Sequence, residues 1–203
     1  MSKFHVGQLG NNLMDRWAKC GPKNIVSASA HIFFWPIVFS QFVFSKFGWI
    51  KWYSLISPTS APSGKLFLGA LPWPQSLRMK LIEDEKISSV VNLVAEKSCF
   101  VPSKWTPYSL AIPLPDFVAP SYEQLEPGVE FIQSELASGR NVYVHCRAGK
   151  GRSATLVACW LVKYKGFTPA SAQSYLSQQR PQVLTSLASR LAVIESAKKK
   201  HFQ

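Results

Sequence analysis

The chain has 203 residues, of which 47% are hydrophobic and only 17% are charged. Lysine and arginine still outnumber aspartate and glutamate by 23 to 11, which leaves a net charge of +12. This combination excludes a disordered acidic chain and a polytopic transporter. It leaves two classes of partner for a basic, aromatic-rich protein, namely nucleic acid or an anionic membrane surface.

Residues 1–24 form a basic leader that holds four lysines and arginines and a single acid, Asp15. A leader that is poor in acidic residues is compatible with mitochondrial targeting, although any anchored protein can carry a short basic leader.

Residues 25–56 form a hydrophobic segment, and its first part, residues 25–45, contains no charged residue. About 20 apolar residues are needed for a helix to span a bilayer. Basic and aromatic residues follow the run, including Lys46, Trp49 and Lys51, a mixture suited to the lipid headgroup region. We therefore expect a membrane anchor or interfacial segment. The alternative is an aromatic-rich helix packed on the folded domain.

Proline, serine and glycine dominate residues 57–64, which predicts a short extended linker before a domain over residues 65–203. Short apolar runs alternate with helical patterns in that domain. The predicted strands are Leu66–Leu71, Ser89–Val94, the alternating run Leu110–Leu114, and Asn141–His145. Alternation of strands and helices predicts an α/β fold, with a central, mostly parallel sheet flanked by helices.

Helix starts are marked by side chains that can bond to free backbone N–H groups. Ser121 and Gln124 have the spacing of a capping box, and Thr168 with Pro169 predicts another helix start. An apolar helix over Ala154–Tyr164 follows the last strand.

The cysteines and histidines do not predict a metal site. No C-x-x-C or H-x-x-x-H spacing occurs among the four cysteines and four histidines. We expect neither a metal nor another cofactor, and we expect a reducing compartment.

The turn between the last strand and its helix has residues suited to phosphate chemistry. Cys146 and Arg152 are separated by five residues that include two glycines, and the turn leads into a helix N-terminus. Backbone N–H groups at such a turn suit a tetrahedral dianion, and nearby positive charge stabilises a thiolate. The planar guanidinium of Arg152 can hold two phosphate oxygens, while Ser153 can donate a hydrogen bond to the sulfur when it leaves.

Further residues of the turn are candidates for binding phosphate or substrate. Arg147 and Lys150 add positive potential that suits a headgroup in which a phosphodiester accompanies the phosphomonoester. The alternative is that both side chains only face solvent. The remaining candidates for phosphate binding are His145, Ala148, Gly149 and Gly151.

The string from His145 to Ser153 resembles the H-C-x5-R-S/T signature of the cysteine-based protein tyrosine and dual-specificity phosphatases. The resemblance implies a phosphocysteine intermediate on Cys146 and a general acid on a separate loop. Asp116 lies 30 residues before Cys146, similar to the family spacing, and is the candidate acid. The alternative for Asp116 is an ordinary turn aspartate after proline.

Within that family, the stretch Leu68–Pro72 and the pair Trp52–Tyr53 are similar to the branch of mitochondrial phosphatidylglycerophosphate phosphatases of cardiolipin synthesis. The resemblance implies an anionic phospholipid substrate, a membrane surface as partner and location at the mitochondrial inner membrane, with another intracellular membrane as the alternative. Where that branch carries an acidic stretch with a tyrosine, this chain has Val94–Ser98, of which only Glu96 is acidic.

Other functions remain open. The turn is also similar to that of 3-phosphoinositide phosphatases, and the signature is shared with phosphatases that act on phosphoproteins. An anchored phosphate-binding scaffold without turnover is the non-enzymatic alternative. We expect no nucleic-acid partner because the basic residues are scattered along the chain. The oligomeric state stays open.

Overall fold

The computed structural model describes residues 36, 39–40, 42–45, 47–56, 64–95, 105–116 and 118–199. The predicted basic leader lies outside these residues, as do most of the predicted linker and the stretch 96–98 that departs from the phosphatidylglycerophosphate phosphatase branch.

A five-stranded sheet forms the centre of the fold, with strand order β1-β2-β5-β3-β4. All neighbouring strands are parallel except β1, which pairs with β2 in the antiparallel direction. This architecture confirms the predicted α/β fold with a mostly parallel sheet. The strands are β1 Tyr53–Leu55, β2 Leu66–Gly69, β3 Ile87–Val94, β4 Tyr108–Leu114 and β5 Asn141–His145.

Within the residues that the structure describes, five helices follow β2, and the predicted caps are present. Ser121 and Thr168 accept from the backbone N–H groups of Gln124 and Ser171, and both complete a capping box. The helices are α1 Gln75–Glu83, α2 Tyr122–Ala137, α3 Arg152–Tyr164, α4 Pro169–Gln179 and α5 Leu191–Lys198.

Alternation along the strands divides the core between the two faces of the sheet. Val142 and Val144 of β5 pack into the larger cluster, which includes residues of α2, α3, α4 and α5. Tyr143, between them, points to the other face, where it packs with Phe67 and with Leu81 of α1. The sheet is therefore covered on both faces, as parallel sheets require.

β1 lies within residues 25–56, the segment predicted as an anchor. Tyr53 pairs with Gly69 and Leu55 with Phe67, so the end of that segment belongs to the sheet and the folded domain begins before Lys65. The anchor prediction otherwise falls on residues 25–35, which lie outside the described residues, and on a partly described helical stretch before residue 46. No helix within the described ranges is long and apolar enough to cross a bilayer.

The parallel pairing brings the ends of four strands, β2 to β5, to one edge of the sheet. His145 at the end of β5 lies opposite Gly69 of β2 and Asn92 of β3. Leu114 ends β4 at the same edge, opposite Val94. The residues that follow β5 and β4, including the predicted phosphate-binding turn and Asp116, are thereby placed near each other.

Candidate active site

The catalytic loop, residues 146–151, runs from the end of β5 to the first residue of α3, Arg152. Cys146 is almost completely buried, and its Sγ accepts hydrogen bonds from the Gly149 N–H at 3.3 Å and from the Ser153 hydroxyl at 3.2 Å. The sulfur thus lies inside a turn of backbone N–H groups at a helix N-terminus, where negative charge is favoured.

Burial raises the pKa of the Cys146 thiol, but four opposing interactions outweigh it. The positive charge of Arg152, the hydroxyl and backbone N–H of Ser153, and the Gly149 N–H together bring the pKa below its ordinary value. A lowered pKa increases the fraction of thiolate, which is the nucleophilic form of cysteine.

Gly149 allows the loop to approach β2. Its φ of +67° lies in the left-handed region, and a Cβ atom there would lie 2.5 Å from the Gly69 carbonyl. The loop is also tied to the residues after β2 because the Leu71 N–H donates to the Arg147 carbonyl at 3.1 Å. This contact explains why Leu68–Pro72, the stretch that carried the branch resemblance, borders the loop.

Arg152 joins the catalytic loop to the candidate general acid. Its Nη1 donates to the Leu114 carbonyl at 2.7 Å, and its Nη2 lies 3.0 Å from Asp116 Oδ1. The other carboxylate oxygen of Asp116 contacts Arg147, which is buried. Arg147 of the loop and Arg152 at the start of α3 therefore hold Asp116 beside the loop, and Arg147 points inward instead of to solvent.

His145 is fully buried behind the cysteine. Burial lowers its pKa to about 4, with a smaller contribution from the Arg152 charge. The ring is therefore neutral near pH 7, and its Nδ1 lies 3.4 Å from the Cys146 carbonyl. His145 supports the start of the loop, and it is not among the described residues that line the cavity in front of Cys146.

A cavity of about 580 Å³ opens in front of Cys146. The loop residues Arg147, Ala148, Lys150 and Gly151 line it, as do Arg152, Asp116 and Arg190. Apolar side chains complete the wall, namely Phe44, Ile50, Val118 and Leu184. Among the described residues, no cluster of three metal-ligating side chains occurs.

Arg180 is a buried residue in contact with the loop whose place in the site the sequence did not reveal. It is fully buried, and its guanidinium donates to the Gly149 carbonyl at 2.8 Å and to the Ala148 carbonyl at 3.3 Å. The same group donates to the carbonyls of Lys51 and Trp52. Arg180 thereby fixes the catalytic loop against the chain that enters β1. A lone arginine between glutamine and proline carries no local signal of this role.

Comparisons with known proteins agree with this geometry. Residues 66–198 match the model of the dual specificity phosphatase catalytic domain. The phosphatidylglycerophosphate phosphatase PTPMT1 of Arabidopsis thaliana is 33% identical over 177 residues, which cover 84% of this chain and 50% of that protein. The human phosphatidylglycerophosphatase and protein-tyrosine phosphatase 1 is 31% identical over 140 residues, covering 65% of this chain and 66% of that protein. The chain thus spans about half the length of the plant relative.

Comparison with solved structures finds the same fold. The crystal structure of PTPMT1 in complex with PI(5)P has a TM-score of 0.61 at 27% identity and covers 73% of this chain and 96% of that one. The fold and the loop are those of the cysteine-based phosphatase class. The chain belongs to the dual-specificity phosphatase family.

Proposed function

We propose that the protein hydrolyses the phosphomonoester of phosphatidylglycerophosphate, which yields phosphatidylglycerol and inorganic phosphate. The Cys146 thiolate attacks the phosphorus, the bond from phosphorus to the glycerol oxygen breaks, and Asp116 in its protonated form gives that oxygen a proton. The Asp116 carboxylate then takes a proton from water, whose oxygen attacks phosphocysteine. The sulfur–phosphorus bond breaks, and the Ser153 hydroxyl stabilises the departing thiolate.

One observation supports this reaction most directly. The Cys146 sulfur, which accepts from both Gly149 and Ser153, shares a cavity with Arg152 and Asp116. A nucleophile, a guanidinium for the equatorial oxygens and a proton donor are the groups that phosphoryl transfer through a covalent intermediate needs.

The lipid substrate is supported by the wall of the cavity and by the names of the relatives. Phe44, Val118 and Leu184 are each at least 39% exposed and border a cavity whose floor is the phosphate-binding loop. An apolar border suits a headgroup that remains joined to acyl chains. Relatives at 31–33% identity are named for phosphatidylglycerophosphate.

Contact with a membrane surface is supported by the segment before β1. We define the aromatic rim as Phe39, Phe44, Phe47 and Trp49, all of which are exposed. Trp49 stacks on Phe44, whose side chain also lines the cavity. Exposed aromatic rings beside basic residues are typical of proteins that bind the headgroup region. The rim would therefore bring the mouth of the cavity to an anionic bilayer. The resemblance to the mitochondrial branch, together with the basic leader, makes the mitochondrial inner membrane the proposed location, with another intracellular membrane as the alternative.

A second candidate is a phosphoinositide phosphatase, because a structural neighbour was solved with PI(5)P bound. Both candidates use the same reaction and differ in the headgroup.

The test measures phosphate release from phosphatidylglycerophosphate, phosphoinositides and a phosphotyrosine peptide, with Cys146→Ser as the control. We expect the highest kcat/KM for phosphatidylglycerophosphate and no release by the variant. A phosphatidylglycerophosphate rate no higher than the peptide rate would contradict the proposed substrate. Absence of release from every monoester would support the scaffold alternative.

A further inference from the structure

Arg190 is a second cationic position in the active-site cavity, distinct from the catalytic loop. It directly precedes α5 and lines the same cavity as Cys146, Lys150 and Gly151. It is separated from Arg152 by 38 positions in the sequence, so no motif links the two.

The guanidinium of Arg190 is held by a neutral partner. Its Nη1 donates to Thr155 Oγ1 at 3.0 Å, and that hydroxyl in turn donates to the Gly151 carbonyl at 2.9 Å. The Nη2 atom lies beside the loop, because a Cβ atom at Gly151 would be only 3.8 Å from it. The first turn of α3 thus fixes the orientation of Arg190 without neutralising its charge.

The charge of Arg190 is not balanced within the part of the chain that the structure describes, where no carboxylate lies within ion-pair distance of it. The other buried arginines of the site already have partners, since Arg147 and Arg152 contact Asp116 and Arg180 bonds to backbone carbonyls. Burial lowers the pKa of Arg190, and the negative charge of Cys146 opposes this effect. A half-buried cation that has no acid partner and faces a cavity is suited to binding an anion from outside.

We propose that Arg190 binds a second anionic group of the substrate, the phosphodiester that joins the headgroup to the lipid, while the phosphomonoester occupies the catalytic loop. This inference rests on the proposed function, and it adds the residue that distinguishes a substrate with two phosphates from one with a single phosphate. The planar fork of arginine can donate to both free oxygens of a phosphodiester, which the point charge of Lys150 cannot do.

The test uses the full chain and two water-soluble probes, so that binding to a membrane does not enter the result. Glycerophosphoglycerol phosphate carries a phosphodiester and a phosphomonoester, whereas glycerol 3-phosphate carries only the monoester. Affinities are measured by calorimetry in the Cys146→Ser background, which prevents turnover. Arg190→Gln removes the charge, Arg190→Lys restores it without the fork, and Lys198→Gln removes the same charge from the far, exposed end of α5.

We expect Arg190→Gln to weaken binding of glycerophosphoglycerol phosphate by about tenfold, the size expected for loss of a charge-assisted hydrogen bond, and to leave glycerol 3-phosphate unaffected. The affinity of Arg190→Lys for glycerophosphoglycerol phosphate should lie between those of Arg190→Gln and the parent. The affinity of Lys198→Gln should match that of the parent. Equal weakening for both probes would overturn the inference, because Arg190 would then act only through the loop. Unchanged affinity for both probes would overturn it as well.

The two proposals can fail separately. If the parent prefers the two-phosphate probe and the preference depends on Arg190, the subsite stands even when phosphatidylglycerophosphate is not the best substrate. If the lipid is the best substrate and Arg190→Gln changes neither affinity, the proposed function stands and the subsite is overturned.

Discussion

The Ser153 hydroxyl and the Gly149 N–H both donate to the Cys146 sulfur, but the first donor belongs to a side chain and the second to the backbone. The N–H belongs to the loop backbone and survives most substitutions, whereas the hydroxyl can be removed by a single change. Ser153 therefore offers a direct way to vary the charge state of the nucleophile while the loop stays in place.

We expect Ser153→Ala to raise the pKa of Cys146, because the hydroxyl is one of the groups that lower it. In the parent, reactivity is lost as the pH falls through the lowered pKa and the thiolate is protonated. In the variant this loss should begin at a higher pH. The measurement is the rate of inactivation by iodoacetate as a function of pH. Identical titration curves for the two proteins would show that the hydroxyl does not act on the thiolate.

Asp116 lies against Arg152 and Arg147 and at the border of the cavity. If it protonates the leaving oxygen, Asp116→Asn should lower kcat for a lipid monoester by about 10² to 10⁴. The loss should be much smaller for p-nitrophenyl phosphate, whose leaving group needs no proton. A similar loss for both substrates would assign Asp116 to holding the arginines and not to proton transfer.

Two sets of contacts hold the catalytic loop in place. Gly149 approaches β2, and Arg180 bonds to the Ala148 and Gly149 carbonyls. The same arginine reaches Lys51, 129 positions earlier in the chain. The shape of the loop therefore depends on segments that are distant in sequence.

Replacing Arg180 by methionine keeps much of the side-chain volume and removes every one of these donors. We expect a loss of roughly 3 kcal/mol in the free energy of unfolding, because buried carbonyls lose their partners. Activity should also fall, since the loop is no longer fixed. Chemical denaturation with a parallel activity assay measures both effects.

The matched control is Arg78→Met, because Arg78 donates to one carbonyl, that of Pro72, and is only partly buried. If Arg180→Met lost no more unfolding free energy and activity than the control, the positioning role of Arg180 would be contradicted.

Local patterns predicted the elements that local contacts stabilise. The strand ending at His145, the loop and α3 are contiguous, so hydrophobic periodicity and glycine spacing were enough to locate them. β1 was missed because three residues after an aromatic stretch have no periodicity of their own and become a strand only through pairing with β2. Arg180 and Arg190 were missed for the same physical reason, since their roles come from contacts with distant segments.

The cavity and the aromatic rim share one segment of the chain. Phe44 belongs to both, while Phe47 and Trp49 are 68% and 74% exposed. The net charge of +12 would add attraction to an anionic bilayer. Binding to the surface and capture of the headgroup are therefore expected to be coupled.

We expect the double variant Phe47→Ser, Trp49→Ser to bind vesicles of phosphatidylglycerol and phosphatidylcholine about tenfold more weakly, because two exposed aromatic rings no longer enter the interface. Hydrolysis of p-nitrophenyl phosphate should be unchanged. The control is Tyr108→Ser, which removes an exposed aromatic ring from the start of β4, at the opposite edge of the sheet. Equal vesicle binding by the double variant and the parent in a sedimentation assay would exclude the rim as the membrane contact.

The proposed reaction depends on transfer of the phosphoryl group from phosphatidylglycerophosphate to Cys146. A rapid-quench experiment mixes the full chain with this lipid, labelled in its terminal phosphate, and denatures the protein at alkaline pH within the first turnover. Peptide mapping then locates the label. We expect labelled phosphate on Cys146, and none on the protein in Cys146→Ser. Release of phosphate without label on Cys146, or label on another residue, would contradict it.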